Sequence, residues 1–362
     1  MADVLPRVTK GVREACVEDL PAISKLYNAI EPDEPLSLEL YRAWWTWLHV
    51  ENPQNRKLVL GAFAPDGACL AHLSAIALAF SVDGVEIPAG FSCQLMVDEA
   101  KRRSMLYPSL IARLFKEYPE RGAAFMYSTV VRPRVLQGNL AVGFKRGPKL
   151  PVYLRPYRMA PLLKRALGNG FAARALSWLV PVANTVLKFG WPTSLQMEVS
   201  EVKEIPKTVD ALWDRLCAGL KLAAVRRADI LEWRFFGGSQ RNYSVYIAKR
   251  AGETTGYVAL REMPMQGIAT LAIVDILYDP NDSDTSDALL AKVHTEAKRR
   301  RVDATTVVMN SKSPFLQPLG RWGFIRSPEA FTIITHEPRG SNRLTGREDA
   351  DWHLTWFDHD YV

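Results

Sequence analysis

Apolar positions along this chain alternate in short runs closed by Pro, Gly, Asn or Asp, and stretches of helical spacing separate the runs. The pattern predicts a strand around Val12 and a helix over 19–30 with Glu18 and Asp19 at its start. A Trp-rich helix over 41–48 follows and ends before Asn52-Pro53. Residues 58–64 and 68–80 read as strands about the turn Pro65-Asp66-Gly67, and Asp83-Gly84 turns the chain into a strand over 85–97. Next come a short basic turn and a helix whose Leu106, Leu110, Ile111 and Leu114 share one face. A strand over 123–131, a short helix through Leu136 and strands near 152–158 complete this half. Antiparallel strands followed by one strand–helix–strand crossover predict an α+β fold: a mixed, mostly antiparallel sheet flanked by helices.

The second half repeats the order. A strand over 197–202 leads to a helix over 209–220, and residues 228–235 stand where 40–48 stood. Strands over 243–249 and 255–262 pair across Ala251-Gly252, 268–278 matches 85–97, and a helix over 287–298 matches the one after the basic turn. Residues 305–309 and Gly323-Phe324 answer 125–131 and Gly143-Phe144. A repeat of this size predicts two domains of one fold. The expected division is 1–160, a helical linker over 161–193, a second domain over 194–338, and a tail over 339–362 packed on the domains.

The strand–turn–helix from Cys93 to Leu114 carries the first candidate chemistry. Free N–H groups and the positive dipole end of a helix attract anions, and Arg102 and Arg103 add fork-shaped donors suited to phosphate. A solvated basic corner explains the same residues, and the local pattern leaves both readings open.

Composition narrows the partners. Of 362 residues 48% are hydrophobic and 23% charged, as in a soluble globular protein, and the formal charge is +7 with no long basic tail. That charge suits an anionic small molecule, an anionic surface or weak nucleic-acid affinity, and decides among none of them. The run Lys298-Arg299-Arg300-Arg301 ends a helix, where cations answer the dipole. Tyr153-Leu-Arg-Pro-Tyr-Arg is the only aromatic–basic interleaving, and strand-end solvation explains it equally well, so no nucleic-acid partner is expected. Four scattered cysteines and six histidines show no metal spacing, so no metal is expected. Free thiols and an N-terminus without an apolar signal core predict a cytoplasmic setting. Residues 171–191 are apolar but interrupted by Arg174, Pro181, Asn184 and Lys188, too broken for a transmembrane segment. A buried linker is expected there, with peripheral membrane contact as the alternative.

With these elements in place the chain resembles a tandem GNAT-superfamily N-acyltransferase. The resemblance rests on Arg102-Arg-Ser-Met105-Leu-Tyr107 in the diphosphate-binding element, Trp45-x-Trp47…Asn52-Pro53, and Asn139-Leu-Ala-Val-Gly143-Phe144. Ile230-Leu-Glu-Trp-Arg-Phe, Ile273-Val-Asp275 and Trp352-His-Leu-Thr-Trp-x-Asp358-x-Asp360 look like a bacterial group associated with surface-polysaccharide or aminosugar loci. The resemblance implies two tandem acyl-CoA N-acyltransferase domains and an acyl group, such as acetyl, moved from acyl-CoA to an amine of a small metabolite. The alternative is a catalytically inactive tandem module that binds a ligand or a protein.

The resemblance also implies roles. A main-chain N–H among Leu95, Met96 and Val97 would hold the thioester carbonyl, and Arg102, Arg103, Ser104, Met105, Leu106 and Tyr107 would hold the diphosphate. Met105 and Tyr107 stand where the family has glycine or alanine, and their side chains narrow the approach. Glu86 and Asp98, with Glu99, are the candidate bases. The family's acid, a tyrosine, is replaced by Asn139, leaving Tyr127 or Tyr107 to substitute. The second domain's turn, Asn281-Asp-Ser-Asp-Thr-Ser-Asp287, is acidic and would repel a diphosphate, so coenzyme A is expected in the first domain only. Trp233, Arg234 and Asp275 would then line the acceptor groove. Each also has a structural reading: Trp233 as core, and Asp275 as a buried carboxylate paired with Arg234.

Overall fold

A computed structural model describes residues 11–158, 197–238, 241–265 and 267–359. The chain divides into two compact units. The first comprises Met1–Pro148, Gly237–Gln240 and Thr332–Glu348; the second comprises Lys149–Phe236, Arg241–Phe331 and Asp349–Val362. This division differs from the sequential one expected at 160 and 194, because unit 1 takes a segment from late in the chain. The expected linker over 161–193, with its possible bilayer segment at 171–191, lies outside the described residues.

In unit 1 the elements are β1 (Val12–Glu14), α1 (Leu20–Ile30), α2 (Leu38–His49), β2 (Leu58–Phe63), β3 (Cys69–Val82), β4 (Val85–Val97), α3 (Leu106–Glu120), β5 (Phe125–Val130), α4 (Pro133–Ala141) and the start of β6 (Lys145–Pro156). Strands β1 to β4 are antiparallel neighbours, and β5 lies parallel to β4 across α3. The β3–β4 hairpin turns on Asp83 and Gly84, both at positive φ (51° and 82°), as a two-residue loop of right-twisting strands requires. Alternation divides the sheet's two faces. Leu58, Leu60, Ala71, Leu73 and Ala75 pack on Leu110, Ile111 and Leu114 of α3. Val59, Cys69 and Met96 pack on Leu20 and Ile23 of α1 and on Tyr41 and Trp45 of α2. Gly90 lets α3 lie close, since a Cβ there would fall 2.0 Å from Tyr118 Cε1.

Unit 2 contains the rest of β6, then β7 (Glu198–Val202), α5 (Thr208–Leu216), β8 (Leu222–Ala224), α6 (Ala228–Phe236), β9 (Ser244–Arg250), β10 (Glu253–Met265), β11 (Ile268–Tyr278), α7 (Ser283–Arg299), β12 (Ala304–Val308), α8 (Leu316–Arg321), most of β13 (Ile325–His336) and β14 (Trp352–His353). Its sheet follows the same logic: β7, β9, β10 and β11 are antiparallel in that order, and β12 lies parallel to β11 across α7. The C-terminal part of β6 adds to β12, while in unit 1 Thr332–His336 of β13 add to β5. In each unit the strand pairing is therefore mixed and mostly antiparallel, the architecture read from the sequence.

Candidate functional site

Two features of unit 1 converge where β4 leaves the sheet. The first is a β-bulge. His72 of β3 pairs with Met96 and Ser74 pairs with Cys93, so Leu73 alone faces both Gln94 and Leu95. Gln94 occupies the left-handed region at φ 55°. Pairing of β4 with β5 covers Ala89, Gly90 and Phe91, so the bulge lies beyond that shared ladder. Leu95, Met96 and Val97 run past the end of the ladder that joins β4 to β5.

The second feature is the turn into α3. Asp98 caps a 3₁₀ turn over Glu99–Lys101, its Oδ1 accepting from Ala100 N at 3.0 Å. Glu99 pairs with Arg102 at 3.3 Å, and both are exposed. Arg103 and Ser104 are exposed too. Met105 is the N-cap of α3 and supplies no side-chain acceptor. Leu106 N donates to Ser104 Oγ at a long 3.3 Å, and Pro108 has no N–H to give. The helix end thus carries cations beside it and no carboxylate cap on it, which suits an anion. Met105 is exposed. Tyr107 instead packs on the core side of α3 against the position of Gly138, and burial pushes its hydroxyl pKa up. Of the two bulky residues that narrow the turn, Tyr107 has its ring turned onto the core.

The remaining sequence candidates scatter. Glu86 is exposed at the opening end of β4, across from Ser81 and remote from the bulge. Tyr127 is fully buried, its ring 5.3 Å from Phe80 and 5.0 Å from Phe91. Asn139 lies inside α4 and its Nδ2 donates to Val135 O at 2.9 Å, a helix-internal bond. Cys93 is buried beside Ser74, with Sγ and Oγ 3.3 Å apart.

What the sequence missed is a buried polar cluster on the α1/α2 face, next to the bulge. His72 Nδ1 lies 3.0 Å from Gln94 O, and Ser74 Oγ donates to Gln94 Oε1 at 3.0 Å. His49, at the end of α2, stands beside them with its ring 5.4 Å from Trp45. Burial lowers the pKa of His72 to about 4 and that of His49 to about 3, so both imidazoles are neutral near pH 7. A histidine within an apolar strand was the only signal in the sequence.

Unit 2 has the corresponding strand–turn–helix, and its helix end is filled. Asp282 caps α7: Oδ1 accepts from Thr285 N at 3.1 Å and Oδ2 from Thr285 Oγ1 at 2.7 Å, while Arg250 donates to Oδ1 at 2.8 Å. Partial burial alone would raise the Asp282 pKa, yet Arg250 and Thr285 hold it below the usual range.

The three unit 2 candidates are buried, and Asp275 belongs to a polar network. Asp275 accepts from Tyr257 Oη at 2.5 Å, Thr355 Oγ1 at 2.8 Å and Arg226 Nε at 3.3 Å. Its ionic partner is Arg226 and not the expected Arg234, because Arg226 also reaches Asp358 at 2.7 Å and so lies between two carboxylates. Burial opposes charge on both acids; Arg226 keeps Asp275 below the usual range, while burial dominates at Asp358 and raises it. Arg234 donates to His359 O at 2.5 Å and lies over Phe357, and Trp233 is buried. Residues 352–359 are buried, held through these contacts.

Among the described residues no group of three His, Cys, Asp or Glu is placed to hold a metal ion, and no helix is long and apolar enough to cross a membrane.

Residues 31–137 match the family described as Acetyltransferase (GNAT) domain. They span α2 to α4 and so include the bulge and the α3 turn. The chain therefore carries a GNAT-type acetyltransferase domain, the transferase class expected. Similar solved structures include a GCN5-related N-acetyltransferase from Anabaena variabilis ATCC 29413, at TM-score 0.63 and 10% identity over 91% of this chain and 72% of that one. Saccharomyces cerevisiae N-myristoyltransferase with bound myristoyl-CoA and inhibitors is similar at TM-score 0.60 and 13% identity, covering 93% and 82%. A conserved protein of unknown function from Enterococcus faecalis V583, described as a probable N-acyltransferase, is similar at TM-score 0.61 and 11% identity, covering 93% and 74%. At these identities the likeness is one of fold, and the myristoyl-CoA in the yeast structure accords with the expected acyl-CoA co-substrate. No curated protein sequence matches the chain.

Proposed function

We propose that the chain is an acyl-CoA-dependent N-acyltransferase built from two tandem GNAT-like domains, with coenzyme A held by the first alone. It would move an acyl group, acetyl being the simplest, to the amine of a small metabolite such as an aminosugar or amino-acid derivative. The observation that carries this reading is the basic N-terminus of α3, with no carboxylate cap on it, in the turn that follows the bulged end of β4 and within the residues that match the acetyltransferase family. Main-chain N–H groups at Tyr107 and along the turn, with Arg102 and Arg103, would hold the diphosphate. An N–H from 95–97 would bond the thioester carbonyl, and its benefit grows as charge develops on that oxygen. The attacking amine must be neutral; Asp98 and Glu99 are the carboxylates nearest the end of β4, with Asp98 oriented by its cap. Free cysteines at 16, 69, 93 and 217 support a reducing, cytoplasmic setting.

One observation favours the second reading, a ligand-binding module without catalysis. Asn139 replaces the family's acid, and its amide is tied to Val135 O. Calorimetry with acetyl-CoA and a longer acyl-CoA, followed by thiol release in the presence of candidate amines, separates the two. Binding with turnover supports the enzyme, binding without turnover to any amine supports the module, and no binding by the folded protein overturns both coenzyme readings.

A further inference from the structure

The bulge in β4 has an unusual occupant. A residue at φ 55° in a bulge is ordinarily glycine, since a Cβ there meets the neighbouring carbonyl. This chain has Gln94. Three bonds surround it: His72 Nδ1 at 3.0 Å from Gln94 O, Ser74 Oγ at 3.0 Å from Gln94 Oε1, and the Ser74–Cys93 contact at 3.3 Å. Because a carbonyl oxygen only accepts, His72 must carry its proton on Nδ1, and its Nε2 is a bare lone pair. That Nε2 is buried with no hydrogen-bond partner among the described residues. Burying an imidazole with half its polar capacity unmet is costly, and an apolar side chain would fill the same space without that penalty. A local rule broken at such a cost is characteristic of functional positions.

We propose that His72 is a positioning residue: its Nδ1–H holds the Gln94 carbonyl, fixes the bulge in its left-handed form, and thereby aims a main-chain N–H among 95–97 away from β3, into the gap beyond the β4–β5 pairing. The role in acyl transfer rests on the reading of that gap as the thioester site. The lock itself does not, and it is measurable without any ligand.

The test uses the full chain, His72→Leu, Gln94→Gly, and the two together. Amide hydrogen exchange at 94–97 in His72→Leu rises about tenfold or more while the rest of β4 is unchanged. The kcat with acetyl-CoA falls about tenfold with KM for acetyl-CoA within about threefold, the pattern of a contact made in the transition state. In the double variant glycine adopts the left-handed conformation unaided, so exchange protection and most of kcat return. Should His72→Leu fail to fold, nitrogen chemical shifts of the unaltered protein decide: a protonated Nδ1 on His72 supports the lock, and a protonated Nε2 overturns it. Exchange and kcat within about twofold of the parent, or a double variant no better than His72→Leu, also overturn it. No turnover by the unaltered chain overturns the functional reading and with it the positioning role; the exchange difference would then stand alone as a structural lock.

Discussion

The two helix N-termini that follow the antiparallel hairpins, α3 in unit 1 and α7 in unit 2, share a topology and differ in what occupies them. At α7 the chain supplies its own anion: the Asp282 carboxylate accepts from Thr285 N and is neutralised by Arg250. At α3 the cap is Met105, whose side chain accepts nothing, and the adjacent charges are Arg103 and Arg102, the latter paired with exposed Glu99. A helix end satisfied by its own carboxylate has no reason to bind phosphate, and one without a carboxylate cap beside basic side chains does. The same contrast extends inward. Unit 2 buries an ionic network of Arg226, Asp275 and Asp358 that ties residues 355–358 to β11, whereas the polar cluster of His72, Ser74 and Gln94 beside the bulge of unit 1 carries no charge near pH 7. One unit is built for closure and the other keeps a strand end and a helix end available.

The contrast can be broken at several points. The largest effect is expected from Arg226→Met, which leaves Asp275 and Asp358 buried without their cation; denaturant unfolding should show a loss of about 3–5 kcal/mol. A loss under about 1 kcal/mol would mean that the network is not what closes unit 2. Replacing Arg102 and Arg103 together by alanine should weaken acetyl-CoA about tenfold or more, near 1.4 kcal/mol, with the unfolding midpoint unchanged. Unchanged affinity would show that the α3 turn is not the diphosphate site.

Smaller effects sharpen the comparison. His72 is held neutral by burial, with its pKa lowered to about 4 from an ordinary value near 6.5. The unfolded chain therefore binds the extra proton first as pH falls, so this contribution to stability is complete above about pH 6.5 and is lost as pH drops toward about 4. Between about pH 7 and 5.5 the loss is roughly 1 kcal/mol for this one group. His49, His353 and His359, each lowered to about 3 by burial, act in the same direction in their own units. His72→Leu should flatten the stability–pH curve by one proton's worth over that window; an unaltered slope would show that His72 is not buried neutral. Asp282→Ala should lose about 1 kcal/mol as the cap of α7 goes, without creating a second coenzyme site.

Much of this contrast was legible in the sequence. The alternation of apolar residues, the Asp83-Gly84 and Ala251-Gly252 turns, and the spacing of Leu106, Leu110, Ile111 and Leu114 are local signals, and local signals set strands, hairpins and helix faces. The acidic turn before α7 was readable as hostile to a diphosphate, though not as a cap already formed. Long-range facts were not legible. Nothing near Gln94 in sequence marks a bulge, because the lock comes from His72 on the neighbouring strand. Asp275 calls for a cation and the sequence offers Arg234, but strand and tail geometry bring Arg226 to it. Thr332–His336 adding to β5 likewise depends on pairing between residues far apart in the chain, which no local pattern encodes.

The central claim is that only the α3 turn takes coenzyme A. Calorimetric titration of the full chain with acetyl-CoA tests it most directly, run alongside the Arg102→Ala/Arg103→Ala and Asp282→Ala variants. The account predicts one site per chain, weakened by the arginine changes and untouched by Asp282→Ala. Two sites per chain, or one site indifferent to the arginines, would contradict it.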